Sequence, residues 1–376
     1  MANDKDFVVA GAVEVGKDTK VTLGSITSSD IDLATGNYFA DTLAANTTYT
    51  ISNAGSVQSF QLEVTGGSVG YDLGAAVYDS KSFSVASQDT SPSALYFKPD
   101  GTKMYVLGDA GDDVNEYTLS TAWDVSTATY SQNFNVNAQE TSPQGLFFKP
   151  DGTKMYVVGA VSDAVSEYNL STAWSVNTAS YNQNLNVTSQ TASPQGLSFK
   201  SDGTKMYVVG LGSIYQYSLS TGFDLSTASY DSVTLDVSPE NSASRDIYFS
   251  AGGTTLVMVG QSSPQSVFKY TLSTAWDLST ASYTSDSFYV GGQDTAPYGM
   301  TLKPDGTKMY VIGVITDTVY QYSTATGATL TWPSSIEWAG GVAPSAPAVG
   351  ETDVFTLVTD DGGTSYVGVK TADNLS

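Results

Sequence analysis

Carboxylates are the side chains of this 376-residue chain whose spacing suits chemistry. Asp89, Glu140 and Asp294 sit in a shared context, QDTSP, QETSP and QDTAP, and so occupy equivalent places in a repeat. Two carboxylates facing each other across a cleft can hydrolyse a glycosidic bond, one as acid and one as nucleophile or base. These three are related by repetition, whereas a catalytic pair is expected to break such symmetry. Asp109, Asp112, Asp113 and Glu116 crowd a single loop, and a hard cation such as Ca2+ takes several carboxylate oxygens. Their spacing is not that of an EF-hand, and a solvated acidic loop is the alternative. The chain contains no histidine and no cysteine. That removes Ser-His-Asp and Cys-His nucleophiles, imidazole acid–base catalysis, the usual zinc sites and any disulfide framework. A non-enzymatic protein without a required cofactor is expected.

Charge narrows the partners. Against 38 acidic residues stand 15 basic ones, for a formal net charge of −23, and Arg245 is the single arginine. Phosphate-backbone binding depends on clustered Lys and Arg, so nucleic acid is a poor partner, as is an anionic membrane. No apolar run approaches the ~20 residues needed to cross a bilayer. The opening MANDKDFVVAGAVEV has no basic segment leading into an apolar core, so neither a signal peptide nor membrane insertion is expected.

The elements that must position these side chains are repeats. KPDGTKMYVVG (149–159) recurs as KPDGTKMYVLG from Lys98, KSDGTKMYVVG from Lys200 and KPDGTKMYVIG from Lys303, with a degenerate copy, SAGGTTLVMVG, from Ser250. The central glycines are spaced by 51, 51, 50 and 53 residues. Such a period, filled with strand-like segments, is the signature of a propeller or solenoid. Each repeat reads as four strands: A (Gly145–Pro150 in the second copy), B (Lys154–Gly159), C (Val165–Ser171) and D (Asn182–Val187). Pro150-Asp151-Gly152-Thr153 supplies the A–B turn. The lysines beside that turn read as surface charge. An aromatic recurs in the C–D loop as Trp123, Trp174, Phe223 and Trp276, either a sugar platform or, since it repeats, a plug between adjacent blades.

The last repeat stops after strand C, near Ala325, and the missing D strand lies at the other end as VYDSKSFSV (77–85). Its pairing beside Val319–Ser323 would close a ring of five blades and remove open sheet edges. Through PDGTKMYVVG and YQYSLSTA this region resembles the YVTN-type propeller repeats, a likeness that implies fold and hardly any activity. The flanks differ from the repeats. Residues 1–76 hold short β-rich runs, including FVVAGAVEV and KVTLGSI, and end in a glycine-rich junction. Residues 326–376 hold a hairpin around Asp360-Asp361-Gly362-Gly363, and fifty residues of this kind could hardly fold alone. The expected fold is therefore all-β: a five-bladed β-propeller (77–325) inserted into a split β-sandwich-like domain (1–76 plus 326–376).

DLATGNYFADTLAANTTYTISN, SFQLEVTGG, TLTWPSSIEWAGGVAPSAP and DVFTLVTDDGGTSYVGV together resemble one module of tailed-bacteriophage virion and tail-fibre proteins, here interrupted by about 260 residues of propeller. The resemblance implies a structural protein of the virion, assembled in the host cytoplasm and exposed on the particle as a tail-fibre, tail-tip or capsid-surface appendage. Its partners would be other virion proteins, reached through the split domain, and further copies of itself. The alternatives are an adhesin that binds host glycan and, third, a polysaccharide depolymerase.

Strand polarity orients the propeller. Chain enters at the start of D and leaves at the end of C, both on the side of the KPDG turns, so the split domain is expected there. The D–A and B–C loops face the other way and vary from copy to copy, as recognition loops on a rigid scaffold do. Asp89, Asp113, Glu140, Gln190, Arg245 and Asp294 are the candidate binding residues on this distal face, and a neutral or cation-bridged polysaccharide is the expected partner.

Overall fold

The computed structural model describes residues 23–43, 46–66, 68–347 and 351–375. The strand expected over residues 7–15, and residues 20–22 of that over 20–26, lie outside these. The chain divides into two compact units, one from Met1–Val69 with Thr326–Ser376, the other Gly70–Ala325. Among the described residues there is no α-helix, only strands and four short 3-10 turns.

The Gly70–Ala325 unit is a β-propeller built from five antiparallel sheets of four strands. In the second, A is Pro143–Phe148, B Lys154–Gly159, C Ala164–Leu170 and D Ala179–Asn186. The A strands of successive repeats contact one another, and that of the fifth contacts that of the first. Val77–Ser84 completes the fifth sheet, with Phe83 opposite Val319 and Val77 opposite Ser323. The A–B turn forms because Asp151 accepts from the Thr153 amide and hydroxyl, at 3.0 and 2.6 Å, while Gly152 takes φ +73°. Glycine is doubly required there, since a Cβ would stand 2.4 Å from the Trp174 ring. The recurring aromatics thus lie on the turn glycines and plug the boundaries between sheets. The Tyr105 hydroxyl of the first sheet donates to the Trp174 carbonyl of the second at 2.8 Å, and Tyr156 does the same to Phe223 at 2.6 Å.

Two expectations need correction here. The second lysine of the motif is not free surface charge: Lys154 pairs with the buried Glu167 at 2.6 Å and ties to the next sheet by donating to the Phe223 carbonyl at 2.9 Å, as Lys103 does to Trp174, whereas Lys205 and Lys308 pair within their own sheets with Asp231 and Asp79. The glycine-rich segment before Val77 is part of the propeller. Tyr71-Asp72-Leu73 stands where the other repeats have Trp123-Asp124-Val125, with Tyr71 at φ +61° and Trp123 at +65°. The Tyr71 amide donates to the Gly306 carbonyl at 2.8 Å, as that of Trp123 does to Gly101 at 3.0 Å. The fifth repeat therefore has its plug, carried by the N-terminal arm, and the unit begins at Gly70 rather than at residue 77.

The other unit is centred on a five-stranded mixed sheet in the order Tyr38–Thr42, Gln58–Thr65, Thr352–Thr359, Tyr366–Leu375, Ile336–Trp338. Two strands come from before the propeller and three from after it. Alternation in FQLEV puts Phe60, Leu62 and Val64 into a core with Phe39, Phe355, Leu357 and Trp338. A three-stranded sheet (Ile26–Thr27, Asp30–Asp32, Thr50–Ser52) and irregular segments complete this core, in place of a second large sheet.

Candidate functional site

The predicted distal carboxylates fold inward. Asp89, Glu140 and Asp294 are each no more than 3% exposed. Glu140 accepts from the Ser142 amide of its own D–A loop at 2.8 Å and from Ser162 of the facing B–C loop at 3.0 Å. Asp89 accepts likewise from Ser91 and Gly111, and Asp294 from Ala296 and Thr316. Thr191 and Asn241 hold the same place in the third and fourth repeats. These side chains pin two loops together rather than ring an open mouth, because burial against a strand-end glycine leaves the loop amides as their partners. Gln190 accepts from the Tyr217 hydroxyl at 2.9 Å, another contact repeated around the ring. Asp113 is half-buried and accepts from Asn133 and Asn135.

The acidic loop does not form a cation site. Glu116 turns away to Lys103, Gln132 and the Val176 amide of the next sheet. No group of three or more carboxylates converges among the described residues. Burial and the nearby charges of Asp112, Asp89 and Glu140 push the Asp109 carboxyl up, against a lowering hydrogen bond to Ser142.

The departure from symmetry is concentrated in the fourth repeat. Its inner strand reads SRDIYF (244–249) where the second reads PQGLFF. A register shift at the second residue frees that side chain from the ladder in each inner strand, and bulges re-aim side chains in this way. Arg245 uses it to span three sheets: it donates to Gln195 of the third and Gln261 of the fourth, and lies 4.0 Å over the Tyr298 ring of the fifth. This is a cation–π and hydrogen-bonded closure of the D–A end of the channel.

Asp246, the next residue, takes the place of Gly145, Gly196 and Gly299, where the inner strands approach so closely that a Cβ on Gly145 would lie 2.7 Å from the Gly196 Cα. Its carboxyl is buried. It accepts from the Ile247 amide at 2.8 Å and, across the sheet boundary, from the Met300 amide at 3.0 Å. Burial pushes its pKa up to about 7, and the two amides offset that only in part. Asp246 lies in the lining of a cavity of about 220 Å³ that opens among the A–B turns, at Pro99, Pro150 and Pro304. Tyr96, Phe147 and Tyr248 form its walls, with Tyr96 edge-on to Phe147 at 5.4 Å and Tyr248 stacked on Tyr71 at 6.3 Å. It holds no second carboxylate. The concave site is thus on the KPDG side of the propeller, opposite to the loops that sequence variation favours. Asp246 was readable only as a single departure from a repeated glycine.

The chain matches no protein-family model and no curated protein. Among solved structures, a candidate 6-phosphogluconolactonase from Bacteroides uniformis aligns over 60% of this chain at 13% identity, with a TM-score of 0.40. This chain covers 64% of that protein, less than two thirds of its length. The Swd1 β-propeller domain from Myceliophteria thermophila aligns over 61% of this chain and 68% of its own, at 10% identity and TM-score 0.36. A protein from Lactobacillus plantarum aligns over 62% and 67%, at 16% identity and TM-score 0.38. These likenesses are too distant to bring an activity, a ligand or a partner to this chain.

Proposed function

We propose that the protein is a non-enzymatic structural component of a tailed-bacteriophage virion, a tail-fibre, tail-tip or capsid-surface appendage. In this reading the β unit built from both ends of the chain attaches it to other virion proteins or to further copies of itself. The inserted propeller, taken as five-bladed, is the displayed head. One observation carries the reading: the two halves of the text that resembles virion modules join side by side in one sheet. Phe60 of SFQLEVTGG stands opposite Leu357 of DVFTLVTDDGG, and Leu62 opposite Phe355. Against a polysaccharide depolymerase stands the chemistry of the cavity, whose lone carboxylate cannot supply an acid and a nucleophile or base together.

A second reading, an adhesin for the host surface, is favoured by the B–C loop tips. Val161, Leu211 and Ile315 are 66%, 50% and 64% exposed in the B–C loops of three repeats. Exposed apolar side chains that recur on the loops of a rigid scaffold suit a contact surface. One experiment addresses both readings. Purified particles are searched for this chain by peptide mass spectrometry and labelled with Fab fragments raised against those loops. Labelling at one repeated position on the particle is expected. Abundance in infected lysate with absence from particles would sink the virion reading. Fab that labels without slowing adsorption would sink the adhesin.

A further inference from the structure

The funnel on the A–B turn side combines three features in one place: an apolar cavity, aromatic faces, and one buried carboxylate that the propeller does not need. Its volume, about 220 Å³, exceeds the roughly 150 Å³ at which an apolar cavity in a protein admits benzene. Tyr96, Phe147 and Tyr248 line the funnel, and aromatic ring faces carry negative quadrupole density. Asp246 replaces a glycine that serves the other repeats, so its carboxyl is an addition to the framework rather than part of it. Each of its oxygens takes one backbone amide, leaving further acceptor capacity toward the cavity. No basic side chain lies in the lining, and Arg245, its neighbour in the chain, is engaged with Gln195, Gln261 and Tyr298. Anions are disfavoured by every one of these groups and by the chain's net charge of −23.

We propose that this funnel is a binding site for a small organic cation, an ammonium group on a short apolar or aromatic stem, with Asp246 as its counter-ion. The stem fills the aromatic funnel and the ammonium meets the carboxylate at its base. The site gives a sharp pH signature. The other titratable side chains on the wall, Tyr96 and Tyr248, have pKa values raised by burial and stay neutral through the physiological range. Asp246 alone ionises there, near pH 7. A cation requires the ionised form, so apparent affinity follows the ionised fraction and rises about tenfold from pH 6 to pH 8. The inference is independent of the virion reading, and its failure would leave that reading untouched.

The test is calorimetric titration of the full chain with benzylamine and with its neutral isostere benzyl alcohol, at pH 6 and pH 8. Benzylamine should bind more tightly than benzyl alcohol, with the rise in affinity between the two pH values confined to the amine. Asp246→Asn should weaken amine binding at least tenfold at pH 8 and abolish the pH dependence. Asp246→Gly, which restores the residue of three other repeats and so preserves the fold, should do the same. The proposal is overturned if the amine and the alcohol bind alike, if either variant binds the amine as the natural chain does, or if benzylamine shows no binding at millimolar concentration.

Discussion

At the scale of single residues, the chain uses carboxylates in two opposite ways. Asp89, Glu140 and Asp294 are buried with their loop amides as built-in partners, and each is one copy of a repeated polar anchor. Asp246 is buried once, in place of a glycine, with two amides and an apolar cavity around it. The sequence presents the first three in loops and the fourth inside a strand, and nothing in spacing tells that all will point inward; that depends on amides some twenty residues away for the three and on the Ile247 and Met300 amides for Asp246. The difference has a measurable consequence in linkage. The Asp246 pKa rises from 3.8 in the unfolded chain to about 7 in the folded one. Between those values the folded state holds a proton that the unfolded state has released, so stability falls as pH rises through that window and levels off above it. At about 1.36 kcal/mol per unit the full swing is on the order of 4 kcal/mol, an upper bound for a group that can admit water. Urea denaturation of the natural chain and of Asp246→Gly should therefore show the variant gaining about 2 kcal/mol, and no more than about 2.7 kcal/mol, relative to the natural chain between pH 5 and pH 8. The turn aspartates Asp100, Asp151 and Asp202, whose pKa values fall to about 2, act in the opposite sense but are common to both proteins and cancel. A stability difference that does not change with pH would show that Asp246 ionises normally in the folded state.

At the scale of elements, the repeat was legible because turn chemistry and strand alternation both recur with it. Strand B, Lys154–Gly159, lies where its text places it, and Val77–Ser84 pairs beside Thr318–Ser323 as the missing D strand. The fifth plug was not legible by eye because Tyr-Asp-Leu-Gly-Ala-Ala keeps only the aspartate and the final alanine of Trp-Asp-Val-Ser-Thr-Ala unchanged. Its neighbours make it matter. At the boundary between the fourth and fifth sheets Val257 stands where other repeats have the tyrosine that donates to the plug's carbonyl, and Lys269 where they have Glu116 or Glu167. That boundary lacks both ties, so the Tyr71 ring, stacked on Tyr248 and hydrogen-bonded to the Pro304 carbonyl at 2.7 Å, locks it together with the Asp246–Met300 and Arg245–Tyr298 contacts. Tyr71→Ala should cost about 2–3 kcal/mol in chemical denaturation, below the ~3–5 kcal/mol of a fully buried aromatic because Tyr71 is partly buried. Tyr71→Trp, the residue of three other repeats, should be close to neutral. A cost for the alanine variant within about 0.5 kcal/mol would mean that the arm is a mere linker and that the D strand alone closes the ring.

At the scale of the whole molecule, one folded unit is carried between two consecutive strands of another. This is sustainable because the ends of each unit meet. In the propeller the Asp72 amide donates to the Thr324 carbonyl at 2.9 Å, so the two chain ends leave side by side. In the other unit Val69 is the antiparallel partner of Thr326, and Ser68 that of Gly327. Ends held this close add little loop-closure entropy, however long the intervening segment is. They also define a clean excision. Replacing Gly70–Ala325 by Asn-Gly joins Val69 to Thr326 through a two-residue turn of the kind that antiparallel partners favour. The remaining chain keeps all five strands of the mixed sheet and the core of Phe39, Phe60, Leu62, Phe355 and Leu357. It should be expressed as a folded protein with a cooperative thermal transition and a near-ultraviolet circular dichroism signal from Trp332 and Trp338, which pack 4.8 Å apart. The complementary piece, 70–325, should fold as well, and should be more stable than 77–325, which lacks the fifth plug. If the excised chain is unstructured while 70–325 folds, the sheet formed by the two ends depends on the propeller, and the virion reading loses its separate attachment module.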